Sequence, residues 1–267
     1  MTGSHFQKAE RKDSKLATGK TSQSHKFPSK CLSLVFCSMI SFLSLISFRF
    51  RQHNRIPNIL GLIDCVVVKF VRPSRNEEAF YHHKHSHAMN VQVVCDDNHI
   101  IRNIRICPGS NNDRHVWRHS DIREKLQSLR EDQQIVREEG RYYFLGDSGY
   151  TSSPIMLTPI QNAPEGSAEA LYTSEHTRTR CQIEQTFGIY SNVWLAISRR
   201  RVLPYKPKKV ALIILACAVL HNFRRLNGIR PGFPAQNHAN NDRHVFEEGD
   251  FQAGILERQR LIYRYYV

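Results

Sequence analysis

The sequence predicts an α/β layered domain, a mixed sheet of an antiparallel meander plus parallel strands, flanked by helices. Three observations point there. A short β-branched apolar run comes first, two hairpin-like runs follow it, and helical and strand patterns then alternate. The chain has 267 residues and is 40% hydrophobic, enough for one domain with a real core plus tails.

The elements are expected in this order. Residues 1–52 form a basic, disordered arm that carries an apolar, Ser-rich stretch at 31–48. That stretch, CLSLVFCSMISFLSLISF, is borderline in length for a spanning helix, so a membrane anchor, a late secretory signal and a buried helix all stay open. Residues 59–70 (ILGLIDCVVVKF) read as a buried strand. Residues 87–95 and 99–107 read as a hairpin, with Asp96, Asp97 and Asn98 as its turn. Residues 113–131 are helical, and 141–145 (RYYFL) form a strand that ends in Gly-Asp-Ser-Gly.

A loop at 154–167 leads to a helix from about Ser174 past Phe187, with Ile183, Phe187, Tyr190 and Trp194 as its buried stripe. Residues 207–226 form a second helix, with Pro207 in its first turn and Gly228 beyond its end. Its middle, VALIILACAVL, is apolar all round and predicts a core helix, too short to span a bilayer. The domain therefore spans 53–230, and 231–267 is expected to be a loose polar tail. Three strands in a meander and a fourth after a helical crossover give the order of a ribonuclease-H-like layered domain.

Charge narrows the partners. Lys plus Arg is 38 against 24 Asp plus Glu, a net +14, which favours a polyanion by counterion release. The seven Cys stand singly, with no C-x-x-C, and read as buried thiols of a reducing compartment. His82, His83, His85 and His87 invite a zinc site, but Lys84 sits among them and no Cys has matching spacing, so a basic loop near DNA is favoured over zinc, and a solvated strand entry over both.

Three acids stand out by context. Asp64 lies inside an apolar strand, where an unpaired charge is costly. Asp147 follows YYFL in a turn, and Glu184 adjoins apolar Ile183 on a helix. Each also has an ordinary reading: Asp64 pairs with a buried Arg or Lys, Asp147 is a turn residue or cap, and Glu184 pairs with Arg180 one turn earlier. Spacing alone does not choose.

The ordered motifs do. LGLIDC, YHHKHSHAMNVQVVCDDNHIIRNIRICPGSNNDRHVW, FLGDSGY, IEQTFG and ILACAVLHN together resemble the DDE-type transposase domain of the PIF/Harbinger superfamily, including its domesticated, transposase-derived nucleases. The resemblance implies a ribonuclease-H-like fold and a two-metal nuclease acting on DNA phosphodiesters, with Mg²⁺ or Mn²⁺ held by Asp64, Asp147 and Glu184. It makes Asp113 an accessory residue, though Asp113 equally suits a helix cap. His176 and Arg180, at i and i+4 before Glu184 on one helix face, become phosphate or carboxylate partners. Lys84 and the cluster Arg199, Arg200 and Arg201 become DNA contacts or an import signal.

Family members carry a helical, DNA-binding region before the first acidic strand, and 1–52 does not read as one. The expected alternative is a domesticated DNA- or protein-binding module without turnover, and a separate DNA-binding partner protein is a further expectation. Nuclear residence, with cytoplasm second, follows from substrate and charge; membrane anchoring through 31–48 is the alternative. Oligomeric state is not legible.

Overall fold

The computed structural model describes residues 32–35, 43–131, 141–198, 200–229 and 251–267. Among these residues the strands are β1 (Leu32–Val35), β2 (Ile59–Lys69), β3 (Tyr81–His82), β4 (Ser86–Cys95), β5 (Ile101–Pro108), β6 (Tyr143–Leu145) and β7 (Met156–Leu157). They form one mixed sheet in the order β1-β5-β4-β2-β6-β7, with β3 on β4. β2, β4 and β5 pair antiparallel, as a meander requires. β6 pairs parallel to β2 after the helical crossover, and β7 parallel to β6. The sheet and its helices match the expected layered, ribonuclease-H-like fold.

The helices are α1 (Leu43–Arg51), α2 (Glu77–Phe80), α3 (Asp113–Arg118), α4 (Asp121–Glu131), α5 (Ala168–Val193), α6 (Pro207–Leu226) and α7 (Phe251–Tyr265). The period-2 pattern of β2 fixes what each sheet face meets. Leu62, Val66 and Val68 join Val91, Val93, Ile104 and Ile106 in the core that holds Ile183, Phe187 and Tyr190 of α5 and Ile214 of α6. On the other face Ile63, Val94 and Phe144 pack with Trp117, Ile122, Leu126 and Tyr150. Gly61 is needed where β2 shifts register against β6, because a Cβ there would sit 2.7 Å from Val94 Cγ1.

Several local expectations shift for identifiable reasons. The 113–131 helix breaks in two at Ser120, whose hydroxyl donates to Trp117 O and accepts from Arg123 N, recapping the chain. α5 starts at Ala168, not near Ser174, because the Ser167 hydroxyl accepts from Ala170 N and caps an earlier turn. α6 starts on Pro207 and ends before Gly228 (φ 65°), as expected. It is not buried all round: Leu212, Val219, Leu220, Phe223 and Leu226 are exposed, and the opposite stripe faces the core. An unbroken apolar run records composition, not which side is covered.

The apolar 31–48 stretch contributes the edge strand β1, antiparallel to β5, and most of α1. Among the described residues no helix is long and apolar enough to cross a membrane. The expected loose tail includes α7, which buries Gly254, Glu257, Leu261 and Ile262 against the domain. Cys65, Cys95, Cys181 and Cys217 are free thiols, but Cys107 is disulfide-bonded, which corrects the reading of seven thiols.

Candidate active site

Asp64 interrupts the apolar row Leu62, Val66, Val68 on the sheet face beneath α5. It is 2% exposed. Oδ1 accepts from the Cys65 N–H at 2.7 Å and Oδ2 from Arg180 Nη2 at 3.1 Å. The ordinary reading of Asp64, a buried Arg partner, is thus part of the arrangement.

The parallel pairing of β2 with β6 sets Leu62 opposite Leu145. β6 ends at Leu145 and Asp147 follows two residues later, near enough to Asp64 for its charge to raise the Asp64 carboxyl. Asp147 also closes the turn: Oδ1 accepts from the Gly149 N–H at 2.9 Å, and a Cβ at 149 would lie 3.0 Å from that oxygen. The Gly-Asp-Ser-Gly motif therefore serves as a turn and a carboxylate mount at once.

Asp113 opens α3, but the cap is Asn112, whose side chain accepts from His115 N. Asp113 Oδ1 instead accepts from Asn90 Nδ2 at 2.8 Å. Burial, then the charges of Asp147 and Asp113, push the Asp64 carboxyl up to about 7, outweighing Arg180 and the Cys65 amide. Burial, with the charges of Asp113 and Asp64, pushes the Cys65 thiol up, and burial, with Cys65 and the nearby acids, pushes the Tyr150 hydroxyl up.

α5 crosses the sheet from β7 over β2 to β4, as three contacts show. His176 Nε2 donates to Leu157 O at 3.0 Å, Arg180 reaches Asp64, and Thr186 approaches Cys95. His176 is fully buried and held near a pKa of 3, first by burial and then by Arg180 and Arg258. It touches β7 backbone and does not face solvent, where a phosphate would arrive. Glu184 is half-buried, one turn past Arg180 on the same flank of the helix. Arg180 pairs with Asp64, so the alternative Arg180–Glu184 pair is not the one formed.

Lys84 is exposed in the turn before β4, and Arg200 and Arg201 are exposed after α5; Arg199 lies outside the described residues. The histidine loop shows no metal geometry: His87 Nε2 meets Glu77 at 2.9 Å, and His85 Nδ1 meets Tyr81 at 3.4 Å. Sequence reading did not single out Tyr150, whose hydroxyl lies 3.4 Å from Cys65 Sγ, or Arg114, whose Nε donates to Gly149 O. The available signal was Asn90 and Gln92, two polar residues at i and i+2 on one face of an apolar strand.

The donor set suits a hard divalent cation. Asp64 and Asp147 lie within electrostatic reach of each other, and Mg²⁺ is commonly held by one or two carboxylates with water and phosphate completing its shell. Among the described residues no three His, Cys, Asp or Glu side chains form a group that could hold a metal ion, so Asp64, Asp147 and Glu184 are not gathered into a ready-made cage.

Comparison with known proteins agrees with this geometry. The family model described as DDE superfamily endonuclease matches residues 63–222, more than half of the chain. The candidate nuclease HARBI1 of Bos taurus is 29% identical over 176 residues, covering 65% of this chain and 48% of its own length. HARBI1 of Mus musculus is 29% identical over 216 residues, covering 78% and 58%. An ALP1-like protein of Arabidopsis thaliana is 26% identical over 190 residues, covering 68% and 47%. The chain thus spans about half the length of the curated relatives it matches. No solved structure matches it. With the family match running from β2 through α6 across both aspartates, the chain belongs to the DDE superfamily endonucleases, with relatives derived from Harbinger-type transposases.

Proposed function

We propose that this protein is a divalent-metal-dependent nuclease that hydrolyses DNA phosphodiester bonds. The observation that supports the reading is that Asp64, buried on β2 against Arg180, has the charges of Asp147 and Asp113 near enough to raise its carboxyl. Asp64, Asp147 and Glu184 would hold Mg²⁺ or Mn²⁺. Bound there, the metal supplies Lewis-acid activation of the phosphate and of the attacking water.

The chain's own residues do the rest. β2 carries Asp64, and the Gly149 amide holds the Asp147 side chain in its turn. Asn90 orients Asp113 near Asp64 as an accessory group. Arg180, which donates to Asp64 from α5, would also meet a phosphate oxygen. Lys84, Arg200 and Arg201 would track the DNA backbone, with Arg199 in the same basic run. Residues 53–230 form the proposed catalytic unit, nuclear residence follows from the substrate, and a DNA-binding partner would aim it.

The second reading is a DNA- or protein-binding module without turnover. It is favoured by one observation: both Asp64 oxygens are already engaged, one by an amide and one by the Arg180 guanidinium. Supercoiled plasmid separates the two. Nicking that requires Mg²⁺ or Mn²⁺ and stops with EDTA supports the nuclease. Retention of DNA without nicking at any metal concentration supports the binding module.

A further inference from the structure

The family match ends at residue 222, yet a later helix grips the strands that carry Asp147. Before the turn, Glu257 accepts the Tyr143 hydroxyl at 2.6 Å and pairs with Arg141 Nη1. After the turn, α7 lies so close to the chain that a Cβ on Gly254 would stand 2.4 Å from Ser152 C and Ser153 N. Beyond β7, Arg258 Nη1 donates to Thr158 O at 3.2 Å and lies 3.3 Å from its hydroxyl. Leu261 and Ile262 anchor the far half of α7 in the main core.

These contacts bracket the β6–β7 unit. Tyr143 is four residues before Asp147 and Ser152 five after it. β6 itself is only three residues long and β7 only two. Phe144 N–H donates to Ile155 O and Gly146 N–H to Leu157 O. So short a pair holds its register weakly without outside support. A buried carboxylate at 6% exposure that takes both a tyrosine proton and an arginine is a costly contact to keep unless it fixes something.

We infer that α7 latches the β6–β7 segment that carries Asp147, and that Glu257 is a positioning residue for Asp147. The inference rests on the nuclease reading for its functional meaning, but the latch itself is a statement about the β6–β7 segment. Loss of the Glu257 carboxylate frees this segment to slide or fray, moving Asp147 relative to Asp64.

Amide hydrogen exchange on the full chain tests this without relying on catalysis. In Glu257→Gln, peptides covering 143–158 should exchange at least about tenfold faster, with β4 and the middle of α5 unchanged. Tyr143→Phe should show the same pattern more weakly, and Glu257→Asp should restore part of the protection. Unchanged exchange over 143–158, or equal acceleration throughout the chain, overturns the latch. In the nicking assay Glu257→Gln should lower kcat about tenfold with KM for DNA unchanged. A wild-type chain that never nicks would defeat the nuclease reading while exchange still decides the latch.

Discussion

Replacing Asp64 by Asn should make the metal-free protein more stable at pH 8. The folded state raises this carboxyl from 3.8 to about 7, chiefly by burial. At pH 8 it must still ionise, and a shift of that size costs the fold about 4 kcal/mol at roughly 1.4 kcal/mol per unit. At 2% exposure solvent does little to screen this cost. That cost already includes the attraction of Arg180, and Asn, which resembles the protonated acid, keeps the acceptor for the Cys65 N–H, so the net expectation is a gain of about 4 kcal/mol at pH 8. The sign of the pH dependence follows from the raised pKa: the folded form keeps its proton where the unfolded chain has lost it, so wild-type stability falls as pH rises from about 4 to about 7. At pH 5 the penalty is about 2 kcal/mol, so the gap should narrow by about half. Urea unfolding in EDTA at both pH values measures it, and Mg²⁺ should then stabilise the wild type but not the variant. A variant that is less stable at pH 8, or a gap independent of pH, would refute the reasoning from burial.

Other perturbations follow from the same contacts. Arg180→Met should cost about 3 kcal/mol at pH 8, by leaving Asp64 buried without its partner, and clearly less at pH 5, where Asp64 carries a proton; paired urea curves decide. His176, lowered to about 3, is buried neutral, so its contribution is complete above pH 6.5 and is lost as pH falls towards 3. His176→Gln should flatten the acid limb of the stability profile by up to about 4 kcal/mol, and a limb of unchanged steepness would assign it elsewhere. Gly61→Ala should cost about 1–3 kcal/mol by overpacking against Val94, read as a lower thermal midpoint.

Much of the scaffold was legible because its signals are local. β2, β4 and β5 follow from β-branched runs and the Asp96–Asn98 turn, and α6 from Pro207 and Gly228. Asp64 was legible as a charge in an apolar strand. Asp147 was not, because a turn aspartate looks the same whether or not the fold brings it near another acid. The Arg180–Asp64 pair joins residues 116 positions apart, which no helix spacing encodes. The exposed stripe of α6 was invisible for a related reason: burial is set by what lies opposite. α7 was missed because its anchors, Glu257 and Gly254, are polar or small, and their partners lie in the segment around Asp147 about a hundred residues away.

The most direct test of the central claim compares plasmid nicking by the wild-type chain and by Asp147→Asn in Mg²⁺ or Mn²⁺. Asn is nearly isosteric and can still accept from the Gly149 N–H, so the turn is retained while a metal-binding carboxylate is lost. Metal-dependent nicking by the wild type that falls at least about a hundredfold in the variant is the expected result, a loss of about 2.7 kcal/mol in transition-state stabilisation. Equal nicking by both proteins, or none by either, would contradict it.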